Sequence, residues 1–182
     1  MTIVTIVGTS GAGKSTVVRQ LIEAMPPGQL VRREQNQEIG RILNGTIFIA
    51  GRYDEWDTAG CDTIKDVGFW YGLFAQKARE GYHVVFEGLF MMNHTRGLDL
   101  VKTRIAPVHI LHLQTTLDEC KIAINARRLR RGQTEFKRSW DNTKGHIKRA
   151  ANYAGKLKDI GATVHKVTRE DALAKLMDLL RG

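Results

Sequence analysis

Short apolar runs alternate along this chain with longer stretches whose apolar positions recur every three or four residues, a pattern that predicts strands followed by helices. Residues 2–7 are apolar and β-branched, which fits a buried strand. In 14–25, Val17, Val18, Leu21, Ile22 and Met25 fall at helical spacing, and Pro26-Pro27-Gly28 ends that helix. Residues 29–33 are a second short strand candidate. The pattern then blurs: 34–64 is polar and glycine-rich around a small apolar run at Ile47–Ala50, and reads as a binding excursion. Regularity returns with a helix over 63–80 closed by Gly81, a strongly apolar strand at 83–86 and a helix over 95–105. A strand at 107–113 and a helix over 116–131, stopped by Gly132, follow. A long basic helix covers 142–160, with Gly155 inside it and Gly161 at its end. A strand at Thr163–Val167 and a helix over 170–180 complete the pattern.

Strands alternating with helices give an α/β class with a mainly parallel sheet. Right-handed crossovers put helices on both faces, and ligands bind beyond the carboxyl ends of the strands. The 182 residues suit a single domain, 1–182, and can bury about 70% of the unfolded surface without staples. With 42% hydrophobic and 26% charged residues, a largely disordered chain is excluded. No apolar run approaches the roughly 18 residues that span a bilayer; residues 83–92 are broken by Glu87, and 1–8 lack a basic flank, so neither a membrane span nor a signal peptide is expected. Cys61 and Cys120 give no disulfide framework, and a reducing, cytoplasmic setting is expected. Charge changes the picture more. Residues 1–119 hold 12 basic and 13 acidic side chains, whereas 120–182 hold 16 basic and 6 acidic, so the formal +9 sits in the last third. That asymmetry points to a polyanionic partner or an anionic substrate, the plainer alternative being a solvated basic face.

Gly8-Thr9-Ser10-Gly11-Ala12-Gly13-Lys14-Ser15 fits the Walker A pattern G-x-x-x-x-G-K-[ST], with the required strand before it and amphipathic helix after it. Glycines let the backbone wrap an anion with its N–H groups pointing inward, and the helix N-terminus adds partial positive charge. Gly8, Ser10, Gly11, Ala12, Gly13, Ser15 and Thr16 are therefore candidates to cradle the phosphates of ATP. Lys14 is expected to reach the β- and γ-phosphates and Ser15 to ligate Mg²⁺. Glu87 ends an apolar strand at the same sheet edge, the Walker B position with Glu in place of the more usual Asp, and is the second candidate metal ligand. Arg127, Arg130 and Arg131 are spaced i, i+3 and i+4 and share one helix face. Arg127 and Arg130 are candidates to hold ATP, and Arg127 and Arg131 to stabilise a transferring phosphoryl group. The alternative is a basic helix end that suits the macrodipole.

These three elements resemble the small P-loop kinases of nucleosides, nucleotides and metabolites, over most of the chain. The resemblance implies a P-loop kinase fold whose five parallel strands run in the order 2-3-1-4-5, matched by the strand candidates starting at Thr2, Gln29, His83, Pro107 and Thr163. It also implies an arginine-rich lid, here 125–145. There is no N-K-x-D motif of a GTPase switch, nor the long second core of motor or helicase ATPases. Gly51-Arg52-Tyr53 followed by Gly60-Cys61-Asp62-Thr63-Ile64 is similar to phage kinases that phosphorylate 5-hydroxymethyluracil already in DNA. That closer resemblance implies transfer of the ATP γ-phosphate to the hydroxymethyl oxygen, DNA as the partner that carries the acceptor, and the host cytoplasm as the setting. A polynucleotide acceptor would account for the basic last third, because Lys and Arg neutralise phosphates. Phe136 and Trp140, which lie among those charges, are candidates to stack on bases, while Tyr153 reads as an ordinary packed aromatic. A base within duplex DNA would have to be flipped out.

A kinase needs a carboxylate at the acceptor hydroxyl. Glu34 follows the second strand candidate and is the expected base. Asp62 is the expected acceptor-binding acid, with helix capping near Thr63 as its alternative. Asp54 and Asp57 flank Trp56 in the same excursion. Arg32, Arg33, Arg52 and Tyr53 are candidates to hold the acceptor's phosphates or base. Three activities stay open at this point: a DNA-base kinase, a kinase of a free nucleoside, nucleotide or small metabolite, and a P-loop binding or switch protein that transfers nothing.

Overall fold

The computed structural model describes residues 1–53, 60–136 and 139–182. Strand β1 (Ile3–Val7), apolar but for Thr5, is buried throughout and takes the middle of the parallel part of the sheet. Strands β2 (Gln29–Arg32), β3 (Glu38–Leu43), β4 (Ile47–Ala50), β5 (His83–Glu87), β6 (Val108–Leu113) and β7 (Thr163–Val167) join it in the order β2-β3-β4-β5-β1-β6-β7. Among the described residues the sheet thus has seven strands and is mixed, not five and wholly parallel. Pairing is parallel from β4 through β5, β1 and β6 to β7, and antiparallel in β2–β3 and β3–β4.

The parallel part still runs 2-3-1-4-5 in chain order, but its second member is β4 rather than the strand at residue 29. The reason is burial. All four residues of β4 are buried, the signature of an interior parallel strand, whereas β2 is exposed at three of its four positions and suits an edge. Asn44 and Gly45, both at positive φ, turn β3 back into β4 as a hairpin.

Alternate strand residues face opposite sides. Val4, Ile6, Val85 and Leu111 pack under α1 (Lys14–Glu23) and α6 (Ala172–Leu179). Ile3, Val7, Val84 and Phe86 pack under α2 (Val67–Arg79), α3 (His94–Lys102) and α5 (Asp141–Lys158), where Tyr153 is buried as a core residue. Helix α4 (Leu117–Arg130) starts at a capping box of Thr116 and Glu119. Helix α2 begins at Val67, later than the periodicity predicts, because Asp66 is its cap, accepting from the Phe69 N–H. Helix α5 runs unbroken through Gly155. No helix among the described residues is long and apolar enough to cross a membrane.

Candidate active site

The chain leaves β1 at its carboxyl end and wraps through Gly8–Ser15 into α1. Gly11 and Gly13 lie at φ 81° and 98°, a region costly for side chains bearing Cβ. Space is short as well: at Gly11 a Cβ would fall 2.7 Å from the Cys120 carbonyl oxygen, and at Gly13 2.8 Å from Arg169 Nε, which would have to move aside. The loop is therefore clasped between α4 and an arginine that follows β7. Arg169 donates through Nη2 to the Gly11 carbonyl at 2.9 Å and through Nε to the Ala12 carbonyl at 3.3 Å. Lys14 is buried and curls over the loop, its Nζ donating to the Thr9 carbonyl at 3.0 Å.

Glu87 ends β5 beside this loop, only 2% exposed. Ser15 Oγ donates to its Oε1 at 2.7 Å. Burial pushes its carboxyl above the usual range, against the pull of Lys14 and the Ser15 bond. The chain that resumes at Gly60 closes over this carboxylate. Gly51 and Gly60, at φ 97° and 72°, approach so closely that a Cβ on Gly51 would meet the Gly60 carbonyl and one on Gly60 would meet Glu87 Oε1. The Gly60 N–H donates to the Arg52 carbonyl at 3.0 Å. Asp62, in the 3-10 turn Cys61–Thr63, caps no helix. Its Oδ2 accepts from the Leu89 N–H at 2.8 Å and its Oδ1 from the Phe90 N–H at 3.0 Å, pinning the loop after β5.

A cleft of about 530 Å³ joins these parts. Lys14, Arg19, Arg127, Arg130 and Arg169 bring positive charge to its wall and Glu87 and Asp62 negative charge, with Leu89 and Phe90 beside Asp62. Of the helix-end arginines, Arg127 and Arg130 line the cleft, while Arg131, which closes α4, is not among the lining residues. Arg128 acts on the chain that follows the helix. Its Nε donates to the Thr134 carbonyl at 2.8 Å and, with the Phe136 N–H on Asn125 Oδ1 at 2.9 Å, folds that segment back on α4. Phe136 and Trp140 pack edge-to-face on each other, centroids 4.8 Å apart.

Other expected site residues lie elsewhere. Glu34 is exposed in a 3-10 turn, Glu34–Asn36, after β2 and outside the cleft lining. It follows an antiparallel edge strand, not the second parallel one. Arg32 donates to Asn36 Oδ1 and Arg33 to Gln37 Oε1, with the Arg33 guanidinium 4.8 Å over the Phe69 ring. Arg52 stands at the closure with Gly60. Tyr53 is buried; its carbonyl accepts from Arg19 Nε at 3.3 Å, and burial, then the Glu87 charge, pushes its phenol up. Asp54, Trp56 and Asp57 lie outside the described residues. The sequence reading missed Arg19, Arg169 and Phe90. Arg19 stands four residues after Ser15 on the same helix face, a readable signal. Arg169 follows the last strand at the sheet's carboxyl edge, where open α/β sheets place ligands.

The Ser15 hydroxyl and Glu87 carboxylate offer the hard oxygen donors that suit Mg²⁺, an ion that keeps several waters and takes few protein ligands. Among the described residues no group of three or more His, Cys, Asp or Glu gathers to hold a metal, so phosphate and water oxygens would complete the shell.

The family model described as AAA domain matches residues 3–149. The chain is 29% identical over 193 residues to 5-hmdU DNA kinase of Pseudomonas phage PaMx11, covering 99% of this chain and 97% of that protein. It is 25% identical over 173 residues to 5-hmdU DNA kinase 1 of Salmonella phage ViI, covering 87% of this chain and 77% of that one. Among solved structures, a deoxyadenosine kinase from M. mycoides with products dCMP and a flexible dCDP bound superposes with a TM-score of 0.50 at 13% identity, over 100% of this chain and 99% of that one, a likeness of fold.

Proposed function

The chain belongs to the AAA domain family, and we infer from that membership and its site that it is an ATP-dependent kinase acting on the 5-hydroxymethyl group of hydroxymethyluracil in DNA. The observation that carries this reading is the single cleft in which the Walker loop, the Ser15–Glu87 pair and Arg127 and Arg130 meet Asp62. The near-full-length likeness to a 5-hmdU DNA kinase supports the acceptor.

In this reading the backbone N–H groups of Gly11–Ser15 and Lys14 hold the β- and γ-phosphates. Ser15 and Glu87 would hold Mg²⁺, whose charge, when it is bound, would offset that of the phosphate oxygens. Arg127 and Arg130 face the transferring group from α4 and stabilise its charge. The bond from the γ-phosphorus to the β–γ bridging oxygen breaks and one to the hydroxymethyl oxygen forms; ADP departs with the electron pair. The hydroxyl proton passes to Asp62, the carboxylate in the cleft that the Ser15–Glu87 pair leaves for the acceptor. Glu34, exposed outside the cleft, has no part in this step. Basic side chains of α4 and α5 take the neighbouring DNA phosphates.

The test is transfer of label from γ-labelled ATP with Mg²⁺ to hydroxymethyluracil DNA, ordinary DNA and free nucleotides. Label on the hydroxymethyluracil DNA alone is expected. Equal, salt-insensitive labelling of the mononucleotide would make the protein a small-molecule kinase. ATP binding without labelling of any acceptor would leave a binding or switch protein.

A further inference from the structure

The cleft's lining residues fall into groups tied together by their own contacts. In one, Arg169 bonds the Gly11 and Ala12 carbonyls, and Gly11 abuts Cys120 and Ile124 of α4, the helix that also supplies Arg127 and Arg130. In another, Asp62 holds Leu89 and Phe90 through their backbone N–H groups. Ser15 and Glu87, bonded to each other, line the same cleft. In a cleft otherwise rich in charge, Phe90 is a large apolar side chain left 48% exposed. A lone exposed phenylalanine needs no explanation on an open surface. This one differs because the Asp62 carboxylate accepts its backbone N–H at 3.0 Å and that of Leu89 at 2.8 Å. The same carboxylate that meets the acceptor hydroxyl in the proposed reaction therefore fixes the backbone that carries the ring. Phosphate chemistry has no use for a phenyl face; a planar heterocycle beside its reacting hydroxyl does.

We propose that Phe90 is the stacking platform for the acceptor base, a positioning residue that sets the pyrimidine so that its exocyclic hydroxyl reaches Asp62. This rests on the kinase reading above. Stacking tolerates every base, so Phe90 supplies affinity and placement rather than recognition of the hydroxymethyl group.

The test compares Phe90→Ala, Phe90→Leu, Phe90→Tyr and Phe90→Trp with the parent protein, each first checked by thermal melt. Loss of one aromatic–base stack corresponds to about 5- to 150-fold weaker binding. Phe90→Ala is expected to raise KM for hydroxymethyluracil DNA within that range while the Kd for ATP stays unchanged. Phe90→Tyr and Phe90→Trp should restore most of the loss, and Phe90→Leu, apolar but not planar, should not. In Phe90→Trp, adding hydroxymethyluracil DNA should quench more indole fluorescence than it does in the parent, whose Trp56, Trp70 and Trp140 set the background, and adding ATP alone should not. An unchanged KM in Phe90→Ala, a leucine as good as tryptophan, or an equal loss of ATP affinity overturns the proposal. If the parent labels a different acceptor instead, the kinase reading of the substrate fails separately. The indole signal with DNA then still decides the stack: quenching beyond that of the parent supports it, and quenching no greater than the parent's overturns it.

Discussion

Arg169 bonds the phosphate loop from the cleft wall, and removing it tests loop positioning apart from the loop's own chemistry. Arg169→Ala deletes two charge-assisted hydrogen bonds, at 2.9 Å to Gly11 and 3.3 Å to Ala12. Bonds to charged groups contribute about 1.5–3 kcal/mol each at best. Arg169 is half-buried and its second bond is long, so about 2 kcal/mol for the pair is the reasonable figure. If that energy holds the loop in its phosphate-ready form, ATP affinity falls about 30-fold, at 1.4 kcal/mol per tenfold. The fold loses little, because the Arg169 side chain lines the cleft and water takes its place at the Gly11 and Ala12 carbonyls. Arg169→Lys retains the charge but lacks the planar fork that spans two carbonyls, so it should recover only part of the affinity. ATP titration calorimetry and a thermal melt of both variants decide the matter. ATP affinity within about threefold of the parent in Arg169→Ala would refute the clasp, and full recovery by lysine would reduce it to simple charge.

Lys14→Ala should cost about 10²-fold or more in label transfer with the melt preserved, the size of a lost electrostatic stabiliser; parental turnover in a folded Lys14→Ala protein would remove the P-loop kinase reading. Gly60→Ala forces a Cβ onto Glu87 Oε1 and a residue with φ 72° into a strained region worth about 1–3 kcal/mol. It should lower the melting temperature by roughly 2–12 °C and transfer by more than tenfold as the Ser15–Glu87 bond is lost; an unchanged melt would contradict the closure over Glu87. Reversing Lys144 and Lys148 to Glu should weaken DNA binding and flatten its salt dependence by about 0.9 in log–log slope per phosphate released, with ATP binding unchanged. Arg149 is left in place in that test, because its Nη2 donates to the Met92 carbonyl at 3.0 Å and its reversal would disturb packing; no change in DNA affinity would move the DNA interface off α5.

Why the phosphate loop is legible in the sequence and the acceptor side is not follows from the separation of the residues involved. Gly8 to Ser15 are neighbours in the chain, and their pattern, flanked by a strand and an amphipathic helix, specifies the geometry locally. Glu87 is readable for a related reason: an apolar run that stops at an acid marks a strand end, and strand ends share one edge. The second parallel strand is misread because Gln29–Arg32 is the first extended run after a helix and so resembles a crossover partner. Two local signals point the other way: Asn44-Gly45 demands a hairpin, and the fully apolar Ile47–Ala50 outranks the half-polar Gln29–Arg32 for the interior. That single misplacement carries Glu34 with it, since its expected role depends on following the second parallel strand. Asp62 is a candidate from the sequence, but its partners, Leu89 and Phe90, stand 27 and 28 residues away, and Arg169 reaches across 157 and 158 residues to the loop. No periodicity encodes such contacts. The glycines come nearest to encoding them. In the sequence Gly51 and Gly60 look like fragments of a motif; in the fold each is the place where one backbone must touch another or a buried carboxylate. A glycine pair bracketing an acidic excursion, read beside a strand that ends in Glu, therefore says that the second glycine returns to that acid. On this account Gly60 and Glu87 are one device, the small residue making room for the carboxylate that Ser15 needs. Substituting either should lose the same function by different routes, Gly60→Ala by displacing the carboxylate and Glu87→Gln by removing its charge. The double variant should then lose little more transfer than the worse single one, whereas multiplying losses would show two independent sites.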